Sequence, residues 1–504
     1  MRQSMKYSWN QVAILPLFFL LIVSSNGFSQ NARQVGLNSI KSKDLLQTVG
    51  YLSSQRFEGR LPGSAQYDQA ARYVATRLKN AGVKPVGQKS MLHYFDQEVN
   101  EILDAQCFLL DENNNYAIKP LTLEKDYVCR GFTGSGNVKA ETVFVGFGID
   151  TDEYSDYRGI NVKGKIVLVY KSLPPWKPSS GSWGEIMPRD KARFAQKNGA
   201  VGIIFIPYPS SFPKSNIYGS IAAGKGPQLE NFPMIQVSNE VSDSLFGKLP
   251  FNADVLYSKI VHDKAPHSIE TGRGMYINIK TDYFPSRKTA NVIGVIEGSD
   301  PKRKNQFIVL GAHLDHVGQQ AGKIYFPGAN DNASGVATLI AIAEAIKNGQ
   351  VKTKRSIIFA IFSSEETGLN GSKYFVENSP INLKQVTAML NFDCVADGDS
   401  IAINGHPTFP RLWRIAKRMD KRNTKLLSKR SYGGGGADAE AFYQKGISTL
   451  YFNATNGYKH LHQTTDKVET LNPVLIEKEA KLGYLVTLKL ANGWFKGEKA
   501  RKRE

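Results

Sequence analysis

Residues 307–318 read FIVLGAHLDHVG. The run Phe307 to Leu310 is apolar without alternation, the pattern of a strand buried on both faces. A glycine ends it, and His313, Asp315 and His316 follow within four residues. Where a core strand surfaces, two imidazoles around a carboxylate are either a polar turn or part of a metal site. The rest of the chain decides between the two.

Similar runs recur on both sides: NVIGVIEG (291–298), SIIFAIF (356–362), VTAML (386–390) and STLYF (448–452). Helical patterns lie between them. SGVATLIAIAEAIKN (334–348) puts Val336, Leu339, Ile340, Ala343 and Ile346 on one face, with Ser334 placed as its cap. Continuous apolar strands alternating with helices predict an α/β fold, its sheet covered on both faces. Residues 37–85 read as mostly helical, interrupted by Gly-Arg-Leu-Pro-Gly (59–63). The segment is too short for a domain and should pack onto the later α/β region. Between them, ETVFVGFGI (141–149), KIVLVY (165–170) and the helix–glycine–strand pattern of 191–206 form a region with its own turns. Gly219 to Gly226 nearly spells a phosphate loop but lacks Ser or Thr after Lys225, and no clear strand precedes it. It reads as an exposed loop.

A chain of 504 residues needs more than one core. With 41% apolar and 22% charged residues, globular cores are within reach. The first 29 residues have a basic start (Arg2, Lys6), an apolar run from Val12 to Val23 broken by Pro16, and small residues at Gly27 and Ser29. This is the form of a secretory signal and is short for a membrane span, so an exported, soluble product is expected with no transmembrane segment in the mature chain. Cys107, Cys129 and Cys394 do not make a disulfide scaffold; a Cys107–Cys129 bridge and two separate buried thiols both fit, and Cys394 should be a free core thiol. The net charge of +19 has much of its source in RLWRIAKRMDKRNTKLLSKR (411–430) and the C-terminal tail. A solvated helix face accounts for it, and no nucleic-acid partner is expected.

The polar residues that follow the predicted strands form a set. His313 and Asp315 follow the first; Asp331, in GANDNASG, precedes the 334–348 helix; Glu365 and Glu366 follow SIIFAIF; Asp393 follows VTAML; His460 and His462 stand in HLHQTTD. Ligands of open α/β sheets collect at the carboxyl ends of strands. Imidazoles with at least three carboxylates suit zinc, and the count exceeds one tetrahedral ion, so two ions sharing a carboxylate fit.

These pieces, AHLDHVG, GANDNASG, SSEETGLNGS, NFD and the H-x-T-x-D of His462, Thr464 and Asp466, resemble the zinc aminopeptidases of family M28. The likeness runs from about residue 40 to 480. FEGRLPGSAQYDQAARYVATRLKNAGVKP (57–85) is similar to that family's N-terminal segment. EYSDYRGINVKGKIVLVY and KNGAVGIIFI resemble the protease-associated (PA) domain that many members carry. The resemblance implies a mixed, mostly parallel sheet sandwiched by helices, of the zinc exopeptidase type, with a β-rich PA insert. The organisation expected is a signal peptide (1–29), an N-terminal part of the peptidase (30–134), the insert (135–270), the catalytic domain (271–495) and a basic tail (496–504).

The resemblance also implies roles. His313 and Asp393 would bind one zinc, Glu366 and His462 the other, and Asp331 would bridge both. Asp315 would orient His313 through its second ring nitrogen. Glu365 would be the general base, taking a proton from the bridging water and returning it to the leaving amine. His316 is expected to be a wall residue, and Tyr458 or Tyr432 the oxyanion donor. In GGADAEAF (435–442) the family's usual Ser-Asp-His is reduced to Asp438, which leaves its role open. Cys394 stands where many relatives have methionine. The expected protein is an exported two-zinc exopeptidase releasing N-terminal residues from peptides. A one-zinc glutaminyl-peptide cyclase and a non-catalytic peptide-binding relative are the alternatives, with the paired metal set and Glu365 against them.

Overall fold

The computed structural model describes residues 31–501 apart from 88, 112, 114, 115, 208–216 and 248. The signal region and the last three tail residues lie outside the described residues.

Eleven strands carry the architecture: β1 (Leu92–Leu110), β2 (Gly136–Phe144), β3 (Ile166–Tyr170), β4 (Gly202–Ile206), β5 (Met234–Val237), β6 (Ile269–Ile296), β7 (Phe307–His313), β8 (Ser356–Phe362), β9 (Val386–Phe392), β10 (Ile401–Asn404) and β11 (Thr449–Ala454). The catalytic half runs in the order β10-β11-β9-β7-β8-β6. Strands β11, β9, β7 and β8 are mutually parallel, and β10 and β6 close the two edges antiparallel. The sheet is therefore mixed and mostly parallel, as the resemblance implies. Every residue of β8 is buried, as covering of both faces requires.

Helices α1 (Ser42–Leu52), α2 (Ala65–Asn80), α3 (Ser334–Asn348) and α4 (Pro473–Asn492) pack in one cluster with the sheet. The N-terminal segment belongs to that core: Leu45, Val49, Leu52, Val74 and Leu78 are buried in it. Each such aliphatic side chain contributes roughly 1.5–3 kcal/mol on burial. Helix α3 is buried almost all round, beyond the single face expected. Ser334 is not its cap. The Ser334 hydroxyl donates to Asn330 O at 2.6 Å, and the Asn332 side chain accepts from Gly335 N at 2.9 Å instead.

The insert has its own sheet, β2-β3-β4-β5, with β2, β3, β4 and β5 parallel and β2 paired antiparallel to β6. Its cores are separate from the catalytic one. The two halves are joined by β1 and β6, which pair antiparallel from Leu92↔Val292 to Leu109↔Met275. The strand Tyr127–Cys129, ahead of the insert bounds expected, pairs antiparallel with β5, and a small apolar cluster seals the seam: Val128 and Ile221 on the insert side against Val317 and Phe326. Gln320 also crosses it, accepting from Cys129 N at 2.9 Å and donating to Cys129 O at 2.8 Å. The span from Gly219 to Gly226 is not the wholly exposed loop expected; Ile221 is buried in this seam, and Ala222 is buried as well. Cys107, Cys129 and Cys394 are all free and buried. Among the described residues no helix is long and apolar enough to cross a membrane.

Candidate metal centre

Register places the site. His313 is the last residue of β7 and pairs with Phe362 at the end of β8, while Leu310 pairs with Leu390 of β9. The three strands thus surface together, and His313, Glu365, Glu366 and Asp393 emerge from one edge. Glu365 and Glu366 sit on a turn beyond β8, which Gly368 closes at φ +108° with its N–H donating to Glu365 O at 2.9 Å.

Asp331 is the centre of the set. Its Oδ1 lies 3.2 Å from His313 Nε2, and its Oδ2 lies 3.2 Å from His462 Nε2. On one side, His313 Nε2 is 3.3 Å from Asp393 Oδ1; on the other, His462 Nε2 is 3.0 Å from Glu366 Oε2. Two groups of ligand atoms result, each gathered within 4.8 Å: His313, Asp331 and Asp393, and His316, Asp331, Glu366 and His462. His460 is outside both; its ring bonds Thr465 Oγ1 at 2.9 Å. The structure brings together all five residues expected as ligands, with Glu365 in a further group beside His313 and Glu366.

Burial makes the cluster's charges interdependent. Burial alone would raise Asp331, but His313, His462 and His316 outweigh it and hold the carboxylate well below its usual range. Glu366 is likewise raised by burial yet drawn down to about 2 by His462 and His316. Glu365 behaves oppositely. Burial and the charges of Glu366, Asp438 and Asp393 push it well above the carboxylate range, against the pull of His313. Ionised oxygens and imidazole nitrogens converging in a buried space are the donor chemistry of a borderline cation such as zinc.

Four features depart from the sequence reading or escape it. The Asp315 carboxylate is 3.8 Å from His313 Nδ1, whose hydrogen-bond partner is the Asp315 backbone carbonyl at 3.1 Å. That carboxylate instead accepts the backbone N–H groups of Glu365 and Glu366 at 3.1 and 3.2 Å, fixing the turn that presents both. His316 is more than a wall: it is fully buried, with Nδ1 3.0 Å from Glu366 Oε1. Asp466 accepts from Asn330 N and Asp331 N at 2.8 and 3.0 Å, so the last Asp of H-x-T-x-D holds the Asp331 loop. Arg60, fully buried, donates to the carbonyls of Leu52, Leu314, Pro327 and Gly328 at 2.7–2.9 Å, tying the His313 and Asp331 loops together from behind. Of the two tyrosines considered, Tyr458 lies in the site's network, its hydroxyl 3.2 Å from that of Tyr451, which donates to Asp393 Oδ2 at 3.3 Å. The Tyr432 side chain is 68% exposed. Asp438 is fully buried and raised to about 7 by burial.

Residues 291–484 match the profile of Peptidase family M28, and residues 130–245 match that of the PA domain. Residues 291–484 belong to peptidase family M28. It is 37% identical to leucine aminopeptidase 2 of Trichophyton equinum over 383 residues, 73% of this chain and 63% of that one. It is 24% identical to a probable leucine aminopeptidase 2 of Aspergillus oryzae over 76% of this chain and 65% of the relative, and 24% identical to a glutamate carboxypeptidase 2 homolog of Caenorhabditis briggsae over 64% and 49%. The chain thus spans about half to two thirds of the length of the curated relatives it matches. Among solved structures, an aminopeptidase from Aneurinibacillus sp. strain AM-1 covers 92% of this chain and 97% of its own at TM-score 0.64 and 19% identity. A zinc aminopeptidase from Bacillus subtilis covers 90% and 96% at TM-score 0.61 and 18% identity. At these identities the likeness is one of fold.

Proposed function

We propose that this M28 protein is an exported metallo-exopeptidase that holds two zinc ions and releases N-terminal residues from peptides. The observation carrying the proposal is Asp331, whose two carboxylate oxygens face different histidines at 3.2 Å each. His313, Asp331 and Asp393 would hold one ion, and Asp331, Glu366 and His462 the other. When bound, zinc supplies Lewis acidity toward the scissile carbonyl and the attacking water.

Glu365 is the group placed to move the proton. Its backbone is fixed by Asp315, and burial raises its affinity for a proton, as suits a carboxyl that takes one from the attacking water and returns it to the leaving amine. Tyr458 is the hydroxyl placed to donate to a developing oxyanion. Export rests on the N-terminal sequence pattern. The one-zinc cyclase reading has one observation in its favour: His316, Asp331, Glu366 and His462 form a four-donor group by themselves.

Metal analysis combined with a panel of aminoacyl-anilides tests the proposal. About two zinc ions per chain, and hydrolysis abolished by chelator and restored by zinc, are expected. One tightly bound ion in fully active protein would replace the two-metal reading with the one-metal alternative.

A further inference from the structure

The seam between the insert and the catalytic half runs directly beneath the loop that carries His462. This histidine has a left-handed backbone, φ +53°, which a non-glycine residue keeps only when its surroundings hold it. Two of the holding contacts come from the other half of the molecule. The Gly219 N–H donates to the His462 carbonyl at 2.7 Å. The Thr464 hydroxyl donates to the carboxylate of Glu124, whose N–H donates to Tyr127 O at 2.8 Å where the strand paired with β5 begins. Gly219 is clamped in turn: a Cβ there would lie 2.7 Å from the Phe326 ring and 2.8 Å from Val317, the residues that form the apolar seam with Val128 and Ile221. On the catalytic side the same loop is anchored through Asp466 to Asn330 and Asp331. A cleft of about 290 Å³ opens beside these contacts, lined among others by Glu124, Lys125, Ser238, Phe326, Gln463 and Thr464.

We infer that the insert is a working part of the metal centre: through Gly219 and Glu124 it positions the His462 loop, so the affinity of the metal held by His462 depends on the insert staying docked. The inference rests on the metal-centre reading above, but only on the His462 side of it. Groups that orient a ligand typically change metal affinity by about 10–100-fold when removed. Anything that wedges the seam open, or fills the adjoining cleft, would therefore act on the metal without touching a ligand. Gly219, Glu124 and Thr464 are positioning residues in this scheme.

The test measures zinc affinity by competition with a chromogenic chelator, in the full chain, for wild type, Gly219→Ala, Glu124→Ala, Thr464→Val and the Glu124→Ala/Thr464→Val pair. His462→Ala identifies which bound zinc belongs to the His462 position. Gly219→Ala, whose methyl enters the seam, should weaken that zinc about 10–100-fold and leave any other zinc within threefold. Glu124→Ala and Thr464→Val should each weaken it, and the pair should cost no more than the larger single change, because both remove one bond. Thermal unfolding of the zinc-loaded proteins confirms that each variant is folded. If Gly219→Ala and the pair leave the His462 zinc within twofold of wild type, the inference is overturned. If wild type binds a single zinc that His462→Ala abolishes, the two-metal proposal fails while this inference is still decided on that ion. A zinc unaffected by His462→Ala and by the seam variants sinks both.

Discussion

At the scale of single residues, the paired glutamates have separable duties. Glu365→Gln keeps the size and a hydrogen bond but removes the proton acceptor, so kcat should fall about 10²–10⁴-fold with zinc content unchanged. Glu366→Gln, facing His462 and His316 at 3.0 Å each, should lose zinc instead. Measuring metal content and rate on both variants checks this, and the opposite pattern would exchange their roles. Arg60 gives a second prediction. Its guanidinium serves four carbonyls and is the buried counter-cation behind Asp466, Asp331, Asp315 and Glu366. Arg60→Met should destabilise the protein by about 3–5 kcal/mol, the usual result of stripping one partner from a buried charged network, and denaturant unfolding reads it directly. A loss under 1 kcal/mol would mean the loops hold themselves. His313, Glu366 and Asp393 were legible in the sequence because each follows a recognisable strand, Asp331 because it precedes a helix start, and His462 because it stands in the H-x-T-x-D frame of the resemblance. Arg60 was not, because its bond to Leu314 crosses 254 positions and leaves no local pattern. His316 and Asp315 were visible as residues, but their partners depend on a turn geometry that only the fold supplies.

At the scale of elements, α4 contains an acid with no evident duty. Glu479 is fully buried, and neither of its carboxylate oxygens has a hydrogen-bond partner among the described residues. Burial, with Asp420 adding to it, raises its pKa well above the glutamate range. The folded chain therefore keeps this proton at pH values where the unfolded chain, with a pKa near 4.3, has released it. Stability is then full below about pH 4 and declines as pH rises through that window until the folded group itself ionises. Glu479→Gln cannot ionise and removes the decline. It should raise the melting temperature at pH 8 by an amount worth at least about 1 kcal/mol, with no gain at pH 4. An equal effect at both pH values would show that charge is not the cause. Strand and helix identities in this half were readable because apolar continuity is a local property. The capping of α3 was not: Ser and Asn both accept from helix N–H groups, and tertiary demand took Ser334 for Asn330 and Val395 while Asn332 did the capping.

At the scale of the molecule, two cores share one ribbon. Strands β1 and β6 run for 19 and 28 residues from the insert into the catalytic sheet without a break. No composition shift marks that passage, which is why the sequence showed the insert's character more readily than the ribbon that carries it. The global charge is equally uninformative about the substrate. The chain carries +19, yet the groups around the metal centre are acidic. Charge near the site decides which end of a peptide is read. Holding a C-terminal carboxylate requires a free cation, ideally an arginine fork. Arg60, a cation acted on by the cluster's acids, has four of its hydrogen bonds committed to carbonyls and is fully buried. Lys459 acts on Asp397, whose N–H donates to Asn330 Oδ1 at 3.0 Å next to the Asp331 loop. With the ligand carboxylates committed to the ions and Glu365 holding its proton, the carboxylate left to attract an α-ammonium is Asp397, at roughly 1–4 kcal/mol for a close pair, depending on exposure. A peptide with a free N-terminus should therefore lose residues from that end, and its N-acetylated twin should be cut at least about tenfold more slowly, since acetylation deletes the charge while keeping the scissile bond. Mass spectrometry of both digests over time gives the order of release. Loss from the C-terminal end, or equal rates on the two peptides, would mean that a cation outside this cluster binds the substrate terminus and that the acidic groups serve the metals alone.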